Sequence, residues 1–301
     1  MRLRLFLCLL LASCAAAPAP GSADSAGGRF RVVVVSDLNG PYGSTTYGPE
    51  VHRAVRLIRE TWRPDLVLAA GDLVAGQKPA LADDEVRVMW AAFDAAVARP
   101  LREAGIPLGF TLGNHDASPY PAHRRDRALA EEHWRSPRHR PGIALAEGGR
   151  FPQYYSFARG PLFVVAWDAS WAGTAGDTAL LAWVRRELGS ERARAARWRL
   201  VLGHLPLYAV AEGRDRPGEV LAEPDSLRAL LERHRVYAYV SGHHHAYYPG
   251  RRGDLELLHS GALGDGPRPL LGGAAPPART VTLLDFHPAA DSVAWTTYAL
   301  D

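Results

Sequence analysis

Five short apolar runs, each ending in Asp, Asn or His, set the pattern of this chain. Phe30-Arg31-Val32-Val33-Val34-Val35 leads into Ser36-Asp37-Leu38-Asn39, Asp65–Ala70 into Gly71-Asp72, and Pro107–Leu112 into Gly113-Asn114-His115-Asp116. Trp198–Leu202 leads into Gly203-His204, and Val236–Val240 into Ser241-Gly242-His243-His244-His245. Continuous runs of this length, rich in Val and Leu, predict strands covered on both faces. Val51, Ala54, Val55 and Ile58 lie at helical spacing within 50–62, as do Val86, Met89, Phe93 and Val97 within 84–99. Two helices are expected there, with Pro100 ending or kinking the second. Strand, helix, strand, helix, strand implies parallel pairing with right-handed crossovers.

The second half predicts a hairpin, 153–157 with 162–167, turning at Arg159-Gly160-Pro161. Helices are expected over 177–188 and 224–234, and strands over 236–240, 255–259, 280–286 and 292–298, the last two joined by Pro288-Ala289-Ala290-Asp291. Two mixed β-sheets packed face to face with helices outside each account for this order: an α/β, four-layer αββα sandwich, in one domain over 29–301. Pro119–Pro141 interrupts the pattern. It carries Arg124, Arg125, Arg127, Arg135, Arg138 and Arg140 and few apolar positions, and reads either as a solvated helix and loop or as a basic flap over an anionic substrate.

In open α/β sheets, ligands collect beyond the carboxyl ends of the strands. Five such ends here deliver carboxylate, amide or imidazole groups. If the strand continues through them, His243 and His245 fall on one side. Two imidazoles so placed form half of a metal site; the alternative is a polar loop.

The chain has 301 residues, 47% of them hydrophobic, a formal charge of +3, and Lys78 as its one lysine. No electrostatic case for nucleic acid follows from that charge. Met1–Arg4 is basic and Leu5–Leu11 is apolar but too short to span a bilayer. Leu11-Ala12-Ser13-Cys14 resembles a bacterial lipobox. Residues 1–13 are then a signal peptide, Cys14 is acylated and anchors the protein to a membrane of the cell envelope, and residues 14–28 form a flexible tether. An ordinary secretory cut after Ala15-Ala16-Ala17 is the alternative. Loss of Arg2 and Arg4 would lower the charge to +1. Cys8 and Cys14 are the only cysteines, so the domain offers metals only His, Asp and Asn.

Taken in order, Asp37-Leu38-Asn39, Gly71-Asp72, Gly113-Asn114-His115-Asp116, Gly203-His204 and Gly242-His243-His244-His245 resemble the motifs of the calcineurin-like metallophosphoesterase superfamily. The resemblance covers nearly the whole chain from Phe30 onward and implies an αββα sandwich with a centre of two divalent ions (Mn, Mg, Fe or Zn). It assigns Asp37 and His245 to the first ion, Asn114, His204 and His243 to the second, and Asp72 to both. A hydroxide shared by the ions would attack the phosphorus of a phosphate ester in line. His115 would assist the leaving group, with Asp116 holding its imidazole.

Asn39 departs from the family, whose first motif usually ends in His. An amide oxygen is a harder and weaker donor than imidazole, which favours Mn²⁺ or Mg²⁺ over Zn²⁺. Alternatively Asn39 lies behind the ligands, with Tyr42 or Tyr47 filling in. Gly43-Ser44-Thr45-Thr46 is either a phosphate-binding loop or a plain turn. His244 should face away from the metals by strand alternation. His259 is either buried or a support for a ligand, and Asp168 either lines the site or caps a turn. Trp171, Tyr208, Tyr247 and Tyr248 either wall a pocket or simply pack. The resulting function is a metal-dependent phosphoesterase acting on a phosphomonoester or phosphodiester. The alternatives are an envelope module that binds metal or phosphate and has weakened or lost turnover through Asn39, or a nuclease using the arginine-rich stretch.

Overall fold

Val33 and Val35 face one way and Val32 and Val34 the other, and that alternation builds the layers. In the computed structural model, which describes residues 28–273 and 275–300, all four valines are buried. Val33 and Val35 pack among helices, while Val32 and Val34 pack against the facing sheet. The signal and lipidation readings at residues 1–13 and Cys14, with the tether as far as residue 27, lie outside the described residues.

The first sheet has the order β11 (Ser292–Ala299), β10 (Thr280–His287), β1 (Phe30–Val35), β2 (Leu66–Ala69), β3 (Leu108–Phe110). β1, β2 and β3 are parallel, with Val32 opposite Leu66 and Val67 opposite Leu108, and β10 and β11 run antiparallel at the other side. The second sheet has the order β4 (Tyr155–Arg159), β5 (Leu162–Ala166), β6 (Trp198–Leu202), β7 (Ala238–Ser241), β9 (Leu255–His259), β8 (Tyr248–Arg252). Its β5, β6, β7 and β9 are parallel, and its two edge strands antiparallel. A central layer of Leu66, Leu68, Phe157, Val164, Leu200, Val240 and Leu284 joins the sheets. Outside the first sheet pack α1 (Pro49–Leu57), α2 (Asp83–Phe93), α3 (Arg99–Glu103), α4 (Asn114–Ala117) and α5 (Arg124–Arg135). Outside the second pack α6 (Thr178–Leu188), α7 (Glu191–Ala195) and α8 (Pro224–Arg233). The architecture is the four-layer αββα sandwich.

Three local features resolve or go beyond the expectations. Pro100 does not end its helix. A widened turn over Asp94–Ala98, closed by the Arg99 N–H on the Asp94 carbonyl, leads directly into α3, where Pro100 occupies a first-turn position that needs no N–H. The arginine-rich stretch contains α5, which buries Leu129, Ala130 and Trp134 on one face. It is not a flap: Arg127 pairs with Asp168, Arg125 with Asp83 and Asp126, and none of its arginines lines the main cleft. β8 was not expected at all. It is an exposed edge strand containing Pro249 and Gly250, a composition that edge positions tolerate and that hides the strand from pattern reading.

The two sheets are also tied at their edges. The Tyr155 hydroxyl on β4 donates to the Phe110 carbonyl at 2.6 Å and accepts from the Phe110 N–H at 2.8 Å, capping the open side of β3. Tyr155→Phe leaves both buried groups unpaired and is expected to lower the unfolding free energy by about 1–3 kcal/mol in urea titration.

On α5, His133 lies between Trp90 and His139, with ring centroids 5.1 and 3.8 Å away, and its Nε2 has no partner. Burial pushes its pKa down to about 3 from the usual 6.5. The unfolded chain therefore binds a proton there at a pH where the native chain does not. That contribution to stability is complete above about 6.5 and is lost as pH falls toward 3. The urea midpoint should drop between pH 7 and pH 4, and the drop should be smaller in His133→Phe, which keeps the stack without a titrating group.

Candidate metal centre

Each parallel strand that reaches the cleft ends two to four residues before a polar side chain. β1 delivers Asp37, β2 Asp72, β3 Asn114, β6 His204 and β7 His243. The first three come from one sheet and the last two from the other, so the site straddles both. Asp37, Asp72, His243 and His245 all adopt left-handed backbone, with φ of 50°, 53°, 66° and 55°. Each such non-glycine residue costs roughly 1–2 kcal/mol, and the surrounding bonds over-determine all four. The Asp37 N–H donates to the Gly71 carbonyl at 3.0 Å and the Leu38 N–H to the Asp72 carbonyl at 2.9 Å. His243 and His245 thus share the site through this left-handed turn, not through continued strand alternation.

Glycine precedes several of these residues because nothing larger fits. Gly71 has φ +90°, and a Cβ there would collide with the His204 ring; a Cβ on Gly113 would meet the Asp72 carboxylate.

Asp37 is 0% exposed and Asp72 1%, and among the described residues their only ion-pair partners are histidines. Asp37 Oδ1 is 3.3 Å from His245 Nε2, and both its oxygens accept from the His243 N–H at 3.1 Å. Asp72 Oδ2 is 3.3 Å from His204 Nε2 and 3.9 Å from His115 Nε2, while its Oδ1 accepts from the His115 N–H at 2.9 Å. Burial pushes both carboxyls up, yet His245 for Asp37 and His204 for Asp72 outweigh it and hold them below the ordinary range. Reciprocally, burial opposes the charge on His204, but Asp72 raises its pKa to about 9.

Two donor groups result: Asp37, Asp72 and His245, and Asp72, His204 and His243, with the ligand atoms of each group within 4.8 Å of one another. Asp72 belongs to both. His204 Nδ1 is 2.8 Å from the Ala70 carbonyl and His245 Nδ1 is 2.9 Å from that of Gly266, which leaves each Nε2 pointing inward. Buried carboxylates and imidazoles converging, with no arginine or lysine paired to either carboxylate among the described residues, suit two hard or borderline divalent cations sharing one carboxylate.

Asn114 adjoins the second group, its Oδ1 3.0 Å from His204 Nε2 and its Nδ2 donating to Gln77 at 2.7 Å. Asn39 lines the cleft, and its Nδ2 donates to the Gly40 carbonyl at 3.3 Å. His115 lines it too, its ring stacked 4.9 Å from that of Tyr42.

Asp116 does not hold the His115 ring. Its carboxylate accepts from the N–H groups of Leu73, Val74 and Gly113, each at 2.8 Å, and so clamps the loop after β2; His115 Nδ1 has no partner. Burial, then Asp72, raise the Asp116 pKa to about 7.

The remaining candidates divide. The Tyr47 hydroxyl donates to the Leu73 carbonyl and lies away from the cleft, and Ser44 closes a local turn onto Thr46. His244 turns away, its Nδ1 accepting from the Val210 N–H and its Nε2 facing the Glu219 carbonyl. Asp168 pairs with Arg127 and Ser170. His259 is buried outside both donor groups. Trp171 lines the cleft; Tyr208, Tyr247 and Tyr248 do not.

Sequence reading missed Glu219, Arg214, Arg268 and Gln77, all on the walls of this cleft of about 450 Å³. They lie in turn-rich segments without apolar period, where no spacing signals a role.

With this geometry established, a family model described as calcineurin-like phosphoesterase matches residues 30–247. The chain belongs to the calcineurin-like phosphoesterase family. Among solved structures it is similar to purple acid phosphatase PPD1 from yellow lupin (Lupinus luteus) seeds, with TM-score 0.64 and 17% identity over 94% of this chain and 55% of that one. GAP50, the anchor in the inner membrane complex of Plasmodium, gives 0.60 and 12% over 91% and 85%. A putative 5′-nucleotidase from Staphylococcus aureus gives 0.53 and 15% over 91% and 54%. At these identities the likeness is one of fold, and the chain spans only about half of the lupin and S. aureus chains. No curated protein matches it in sequence.

Glu219 Oε2 lies 3.0 Å from His243 Nε2 and is also paired with Arg214. A carboxylate in that place fixes the ring and leaves Nδ1 as its donor atom. Glu219→Gln is therefore expected to weaken Mn²⁺ binding by about 10–100-fold in calorimetric titration; unchanged affinity would mean that Glu219 does not orient His243.

Proposed function

We propose that this cleft hydrolyses a phosphomonoester or phosphodiester, with Asp37, Asp72 and His245 holding one divalent cation and Asp72, His204, His243 and Asn114 a second. The observation that carries the reading is the pair of donor groups sharing the buried Asp72 carboxylate. Cations held there would lower the pKa of a bound water and offset the charge of the phosphate.

The chain's own residues do the rest. Asp37 and Asp72 remain ionised because the ring nitrogens around them favour the charged form, so the site is pre-set for cations. His115 is placed to donate a proton from its Nε2 to the leaving oxygen. Its ring is oriented by the Tyr42 stack and by its own N–H on Asp72, not by Asp116. Asp116 instead keeps the Asp72 loop in place. Asn39 lines the cleft, and an amide oxygen offered to the first cation favours Mn²⁺ or Mg²⁺. The same proposal places the domain in the cell envelope, tethered by a lipid on Cys14. That part rests on the Leu11–Cys14 stretch alone, and Cys14→Ser should move the protein from the membrane to the soluble fraction.

Purified protein is expected to hydrolyse p-nitrophenyl phosphate or bis-p-nitrophenyl phosphate with Mn²⁺ and to stop when the metal is chelated. His115→Ala should slow the rate about 10²–10⁴-fold at saturating metal without changing metal content. Tight metal binding with no turnover of any ester would turn the account toward a binding module.

A further inference from the structure

Two arginines line the cleft, and among the described residues only one of them is in an ion pair. Arg214 is paired with Glu219, and its Nη1 is 3.4 Å from His243 Nε2. Arg268 lines the same cleft, but its side chain makes no hydrogen bond or ion pair with any described residue, and its Nε is sealed from solvent without an acceptor. Asp265, also on the wall, is not within ion-pair reach of it.

Arg268 is also fixed relative to the donor groups. Its N–H donates to the His245 carbonyl at 3.0 Å, and the Gly266 carbonyl two residues earlier lies 2.9 Å from His245 Nδ1. The segment is thus bonded twice to a residue of the centre. A guanidinium stays charged at any physiological pH; Arg268 is partly buried, and Glu219 acts on it through space without pairing with it. The cleft it lines is where a partner can reach it. Tyr42, Tyr120 and Trp171 provide apolar lining in the same cleft for whatever links that partner to the reacting phosphate.

We propose that Arg268 receives a second anionic group, carboxylate or phosphate, carried on the organic part of the phosphate ester. The substrates are then esters with two negative centres. This deepens the hydrolase reading above and rests on it.

The test compares propyl phosphate with two flexible series on Mn²⁺-loaded full-length protein: ω-carboxyalkyl phosphates and α,ω-alkane bisphosphates with two to six methylenes. One charge-assisted contact should lower KM roughly tenfold or more for the best chain length. The carboxylate series and the bisphosphate series tell the two sources of the anion apart. In Arg268→Met the KM ratio between the doubly anionic and plain esters should fall to about one, and Arg268→Lys should keep part of it; thermal melting reports whether each variant folds. Equal KM values at every chain length in the wild type would overturn the proposal. So would an Arg268→Met defect as large on propyl phosphate as on the longer esters, which would assign Arg268 to the reacting phosphate itself. Calorimetry with the matching phosphonates repeats the comparison without turnover. A protein that hydrolyses nothing yet shows an Arg268-dependent preference there refutes the hydrolase reading and keeps this one.

Discussion

Two carboxylates withdrawn from water, at Asp37 and Asp72, impose the constraint on which the rest of this structure depends. Burying an unpaired charge is among the costliest things a fold can do, and among the described residues no arginine or lysine pairs with either acid. What surrounds them is imidazole, contributed by His115, His204 and His245, with the His243 N–H added to Asp37. Protons on His204 and His245, whose pKa values the two acids raise, balance part of the charge. Cations would balance it more completely, and the ring nitrogens are turned so that they can.

The frame serves that arrangement at every level. Alternating apolar strands create two sheets whose parallel ends open on the same side, and the central layer keeps those ends aligned. Four residues accept left-handed backbone to aim their side chains inward, and glycines clear the space behind them. Asp116, fully buried, spends both oxygens on three backbone N–H groups of the loops that carry Asp72 and Asn114. Around this rigid floor the walls are less regular, made of turn segments that bring Glu219, Arg214 and Arg268 to the cleft.

Layer order and sheet class were legible because apolar period and strand-end chemistry are local signals that tertiary packing reinforces. β6 and β9 were readable to the residue for that reason. Pro100, expected to end or kink its helix, does not end it, because a first-turn position makes a proline harmless and the helix restarts through a widened turn. β8 was invisible because its pairing with β9, not its own composition, makes it a strand. In the site, the strand ends named the inward-facing acids and histidines, but not how they get there: the turn after β7, not alternation, brings His243 and His245 together. Neighbours in sequence also misled about contact. Asp116 follows His115 directly, yet helical geometry points its carboxylate at backbone. Partnerships across long loops, such as Glu219 with His243, leave no spacing to read.

The claim beneath all of this is that Asp72 is shared by two cations. Anomalous diffraction from crystals of Mn²⁺-loaded protein tests it most directly. The account predicts two peaks, one on either side of the Asp72 carboxylate, the first reached also by Asp37 and His245 and the second by His204 and His243. A single peak that leaves Asp72 out, or none at saturating Mn²⁺, would contradict it.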